Sequence, residues 1–192
     1  MRQAETLMDL VATSPQFAMP TDASLMPELE GIDLKTLTYE TAETLLSKAS
    51  DEVLVSLFDS SSIKIGDTAV SCLLRRDRWS LVVDGVHAGR FRTRAGKIRA
   101  ANYFSISGKW VPKGKSLPAL MILAADRGLA AADNALLPIV LWQDPSVLPQ
   151  LSELYEERPT EALKKAIKAI KKRDYRIYVK GYRPHAAWLI EG

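Results

Sequence analysis

From Tyr39 onward the apolar positions recur three to four residues apart, and they keep that helical period over most of the chain. The spacing predicts helices over residues 41–49, 51–59, 63–76, 95–106, 117–125, 129–143, 145–156 and 161–173. Ser50 reads as an N-cap, because Asp51 and Glu52 follow it where the helix dipole favours negative charge. Ser116 with Pro118, Asp144-Pro145 and Pro159-Thr160-Glu161 open later helices by the same chemistry. A separate amphipathic stretch over 2–12 (Ala4, Leu7, Met8, Val11) stops at Ser14-Pro15, and residues 15–36 read as an extended, acidic connection.

Two segments depart from the helical period. Residues 79–91 place β-branched residues on both sides of Asp84-Gly85, which predicts a small β-hairpin. Residues 175–179 (Tyr-Arg-Ile-Tyr-Val) read as a second extended piece. Neither is enough for a sheet, so the predicted class is mainly α. The chain divides as one helical-repeat domain over 1–192, with an N-terminal helix and connection over 1–36, repeats over 37–174 and a tail over 175–192.

Setting Leu57–Asp77 against Leu123–Gln143, an offset of 66, reveals an internal repeat. Leu57 falls on Leu123, Asp67 on Asp133, Ala69 on Ala135 and Leu73 on Ile139. Each copy reads as a helix, a turn and a second helix, a unit that must stack on a neighbour to bury its apolar face. Residues 129–142 are apolar almost all round, as expected of a helix inside such a stack. Pro138 lies within it and predicts a bend. On these residues the stretch 40–173 resembles the HEAT-like repeat α-solenoids. That resemblance implies a short, irregular stack of antiparallel helix pairs. Its compact, one-domain form is also similar to helical-repeat immunity proteins of bacteria, which implies a protein that covers a toxin's active site.

Composition narrows the class further. The 192 residues are 47% hydrophobic and 26% charged, so neither a fibrous nor a wholly disordered chain fits. No apolar run is long enough to span a bilayer, and Arg2, Glu5 and Asp9 interrupt the first stretch as a secretory signal would not allow. A single cysteine, Cys72, leaves no internal disulfide and no cysteine-built zinc site. A cytoplasmic protein without a membrane partner is the expectation.

The net charge of +3 conceals a strong asymmetry. Residues 1–60 carry eleven acids against three bases, whereas residues 61–130 carry thirteen bases against four acids. One basic group comprises Arg75, Arg76, Arg78, Arg90, Arg92, Arg94, Lys97 and Arg99, with Trp79 and Trp110 beside it as candidate interface anchors. A second, Lys164, Lys168, Lys171 and Lys172, lines the polar face of the last predicted helix. An acidic face comprises Glu28, Glu30, Asp33, Glu40 and Glu43.

The residues that carry catalysis elsewhere are scattered here. His87 and His185 belong to no ligand-spaced cluster, and Cys72 sits among Val70, Leu73 and Leu74 as a small core residue would. Asp67 and Asp133 are repeat-related, which favours a structural role. Gly85, Gly89 and Gly96 do not form a phosphate loop. No catalytic residue, metal ligand or cofactor is therefore assigned. The sequence favours a non-catalytic protein-binding module, an immunity protein being its specific form. The alternative is a nucleic-acid-binding protein that uses residues 75–99 and 164–176, with phosphate contacts that weaken with salt. Arg90 to Arg99 consumed by the acidic N-terminal arm would favour the first reading; residues 90–99 and 164–176 meeting on one concave face would favour the second.

Overall fold

A computed structural model describes residues 22–107 and 112–180, and every described element is helical. In chain order these are α1 (Asp22–Leu25), a 3-10 turn (Pro27–Leu29), α2 (Tyr39–Leu46), α3 (Asp51–Ser56) with a 3-10 turn (Leu57–Asp59), and α4 (Ile63–Arg75). There follow α5 (Trp79–His87), α6 (Arg94–Ser107), α7 (Lys113–Ala124), α8 (Leu129–Trp142), a 3-10 turn (Pro145–Val147), α9 (Leu148–Glu157), α10 (Glu161–Lys171) and α11 (Arg176–Val179). The predicted N-terminal helix over 2–12 lies outside the described residues. Among those residues no helix is long and apolar enough to cross a membrane.

Capping explains most of the starts. Thr38, Ser50, Ser62 and Thr160 each accept a hydrogen bond from the backbone N–H three residues on, which satisfies one of the orphan donors of the first turn. Asp144 accepts from the Ser146 N–H, two residues on, at 2.9 Å, and Pro145 between them fixes the turn. Ser116 does not cap: α7 begins at Lys113, and the Ser116 hydroxyl donates to the Pro112 carbonyl from inside the helix. Pro138 sits within α8, which runs unbroken from Leu129 to Trp142.

The hairpin expected over 79–91 is corrected to a helix. Val82, Val83 and Val86 are buried while Asp84 and His87 are exposed, a helical rather than an alternating pattern. Gly85 is no turn glycine either: a Cβ there would press on the Phe91 ring, so the residue is small to let that ring in. The left-handed position falls four residues later at Gly89, where the Arg90 N–H returns to the Gly85 carbonyl and ends α5. Residues 175–179 are likewise not extended. Tyr178 is buried in α11 and its hydroxyl donates to the Asp133 carbonyl of α8 at 3.1 Å.

The helices pack in two rows. In one row α2, α4, α6, α8 and α10 each lie against the next; in the other α3 packs on α5 and α5 on α7. Consecutive helices join the rows, α3 with α4, α5 with α6, α7 with α8 and α9 with α10. One apolar cluster from Met26 to Tyr178 fills the space between them, and α8 is buried nearly all round. The 66-residue offset has a structural counterpart, since α4 and α8 start at residues 63 and 129.

Candidate functional site

The arginine-rich stretch separates into committed and uncommitted groups. Arg76 donates to the carbonyls of Ser47 and Ala49 and to Asp51, and Arg78 donates to the other Asp51 oxygen at 2.7 Å. The Arg76 guanidinium, joined by Arg78, holds the Asp51 carboxyl below the usual carboxylate range against the opposing effect of burial. Arg75 reaches Glu43 at 3.0 Å on the exposed side of the same helices. Trp79 is half-buried against the core at the start of α5.

Arg99 is not a surface residue at all. It is 5% exposed and spends its guanidinium on the carbonyls of Phe58 and Ser60 at 2.7 Å, Ser62 at 3.2 Å and the Asp67 carboxylate at 3.0 Å. Gly66 makes the passage, because a Cβ there would collide with the guanidinium. Asp67 is thereby a structural partner, as its place in the repeat suggests.

The same closure recurs one unit later. Arg158 donates to the carbonyls of Ala124 and Asp126, which stand 66 residues after Phe58 and Ser60. Lys97 of α6 pairs with the Asp126 carboxylate. Burial alone would raise Asp126, but Lys97 and the Gly128 N–H together hold it below the usual carboxylate range. Asp59 accepts from the Arg92 and Thr93 N–H groups at 3.0 and 2.8 Å, anchoring the start of α6. The starts of α4, α6, α8 and α10 are thus stitched together in succession.

Arg90, Arg92 and Arg94 remain. All three are exposed around buried Phe91, and among the described residues none forms an ion pair. Their alternation in the short non-helical link before α6 points Arg90 and Arg92 outward while the ring between them turns in. Lys164, Lys168 and Lys171 on α10, and Lys172 at its C-cap, are exposed, with Lys164 placed 3.9 Å from Glu161. Helix α8 lies between α6 and α10 in the row, so the two basic groups stand on helices that are not neighbours. Glu28, Glu30, Asp33, Glu40 and Glu43 are all exposed at the α2 end of the molecule. Trp110 and His185 lie outside the described residues; His87 is exposed and Cys72 is buried and unpaired.

A second surface had no signal in the charge pattern. Between α7 and α9 the row of α3, α5 and α7 opens into a groove of about 600 Å³. Its apolar side chains include Leu117, Met121, Ile122 and Leu154, and its acidic ones are Glu153 and Glu157. Ile122 is 45% exposed, a large apolar side chain left open to solvent. Glu153 and Glu157 stand one turn apart on α9 without an ion-pair partner among the described residues, a like-charge pair that costs the helix a few tenths of a kcal/mol by itself. The sequence signal for this groove was present at two repeat positions. Ala124 and Glu157 stand where the first unit has Phe58 and Phe91, whose rings stack with centroids 5.2 Å apart. No protein-family model, curated protein or solved structure matches the chain.

Proposed function

We propose that the protein is a non-catalytic binding module, a short irregular HEAT-like solenoid whose α7/α9 groove receives a basic amphipathic helix from another protein. The observation that carries this reading is the groove itself: exposed Ile122 and half-buried Leu117, Met121 and Leu154 beside a pair of glutamates without an ion-pair partner among the described residues. A helix laid in it would place two or three apolar anchors against Leu117, Met121 and Leu154 and turn lysines or arginines toward Glu153 and Glu157. Met121 adapts to anchors of different shape, having an unbranched and polarizable side chain. The commitment of Arg75, Arg76, Arg78, Lys97 and Arg99 to internal partners also supports protein over nucleic acid as the ligand. An immunity protein that covers a basic toxin is the specific form of this reading, supported by the acidic groove wall and by the exposed acids near α2.

The test is fluorescence anisotropy with a short labelled peptide of leucines and lysines at helical amphipathic spacing, beside a control with glutamates for the lysines. Saturable binding of the lysine peptide is expected, weaker at high salt and at least about tenfold weaker after Glu153→Lys with Glu157→Lys. Equal binding of the control peptide, or no effect of the double reversal, would overturn the reading. The freedom of Arg90, Arg92 and Arg94 favours a second reading, phosphate contacts with nucleic acid. Labelled single- and double-stranded oligonucleotides titrated at low and high salt test it, and unchanged binding after reversing all three charges would remove it.

A further inference from the structure

The densest charge in the described structure lies where α10 turns into α11. From Lys164 to Lys180 stand eight lysines and arginines against one acid, Asp174. Around the turn itself Lys171, Lys172, Arg173, Arg176 and Lys180 are all exposed. Arg176 pairs with Asp174 at 2.8 Å; the other four form no ion pair among the described residues. The dipole of α10 favours a cation in its last turn. It does not account for five that repel one another.

The turn also exposes apolar surface. Tyr178 is buried with its hydroxyl on the Asp133 carbonyl of α8, and this decides which side of α11 faces out. The Val179 N–H donates to the Tyr175 carbonyl and the Lys180 N–H to the Arg176 carbonyl, so each of those pairs is one turn apart. The outward face of α11 and its caps is therefore a strip of Tyr175 and Val179, 48% and 39% exposed, beside a strip of Arg176 and Lys180. A lone exposed apolar residue needs no explanation. An aromatic and an aliphatic side chain set together among cations match a surface that is anionic above and apolar beneath.

We infer that the α10–α11 turn rests on an anionic lipid surface, with Lys171, Lys172, Arg173 and Lys180 at the headgroups and Tyr175 and Val179 reaching toward the acyl chains. Clustered lysines and arginines are held at such a surface by charge, and tyrosine suits its interface. Apolar side chains strengthen the attachment by the area they bury. A nucleic acid is drawn by the same charge and stacks on an aromatic ring, but it has no use for Val179. No described helix is long and apolar enough to cross a membrane, and a face that only touches the lipid surface needs none. The turn lines no part of the α7/α9 groove, so the inference does not rest on the binding-module reading.

The full chain is sedimented with phosphatidylcholine vesicles and with vesicles containing about one third phosphatidylserine, at physiological salt. Binding to the second kind alone is expected. Lys171→Gln with Lys172→Gln and Lys180→Gln is expected to weaken it about a hundredfold, roughly fivefold for each charge. Tyr175→Ser with Val179→Ser, both at exposed positions, is expected to weaken it about tenfold. An environment-sensitive dye attached after Val179→Cys, Cys72 being buried, is expected to shift to the blue on the anionic vesicles, whereas the same dye after Glu40→Cys is not. Equal binding to both kinds of vesicle, vesicle binding that neither variant weakens, or a Val179→Cys dye that does not respond overturns the inference. Binding of a short oligonucleotide, weakened by the lysine variant, without binding to either vesicle overturns it in favour of a nucleic-acid surface.

Discussion

The two units related by the 66-residue offset are alike in one row of helices and different in the other. In both, an arginine from further along the chain grips two carbonyls where the unit's first helix ends: Arg99 takes Phe58 and Ser60, Arg158 takes Ala124 and Asp126. Carbonyls at a helix end carry partial negative charge and lack intrahelical donors, so a guanidinium there both satisfies and neutralises them. In the second row the likeness ends. Phe58 and Phe91 stack in the first unit, whereas Ala124 and Glu157 stand at the same places in the second, where α7 and α9 border the groove. The scaffold is held by polar stitching, and the surface it offers is set by which apolar positions are filled.

That contrast can be broken at several points. The largest effect is expected from Arg99→Met, which strands three carbonyls and the Asp67 carboxylate; urea unfolding should show a loss of about 4 kcal/mol. Phe91→Ala should cost about 3 kcal/mol by emptying the stacked seam, making the first unit resemble the second. Arg158→Met, on a half-buried side chain, should cost only about 1.5 kcal/mol. Losses of equal size for Arg99 and Arg158 would show that burial does not distinguish the two closures.

Acid should act next. Asp51 and Asp126 have carboxyls held below their unfolded values, so their stabilisation is complete above the unfolded pKa near about 3.9 and fades as pH falls through the folded values. Thermal midpoints recorded from neutral to acidic pH should decline below roughly pH 4, and Asp126→Asn should flatten that decline. The smallest effect belongs to Glu157→Leu, which relieves the repulsion with Glu153 and should change stability by no more than a few tenths of a kcal/mol. A large loss there would mean that Glu157 is structural and that the groove wall is not free to meet a partner.

Most of the helical order was legible because its signals are local. Ser50, Ser62 and Thr160 sit one residue before a helical apolar period, and a cap followed by that period has few other readings. Asp84-Gly85 misled for a physical reason. A hairpin turn and a helix with a small packing position both use glycine, and only the Phe91 ring, six residues away, decides between them. The repeat was visible in Asp67 and Asp133, but the arginines that act on it were not, since Arg99 and Arg158 occupy different places in their units. Charge counting grouped Arg99 with Arg90, Arg92 and Arg94; burial separates them, and burial is not a property of neighbouring residues in sequence.

The most direct test of the groove as a docking surface is a methyl NMR titration of the full chain with the basic amphipathic peptide. The expected result is saturable shifts at the methyl groups of Leu117, Met121, Ile122 and Leu154, with Val55 of α3 and Val70 of α4 unmoved. Shifts confined to other residues, or none at concentrations where the peptide is helical, would contradict the account.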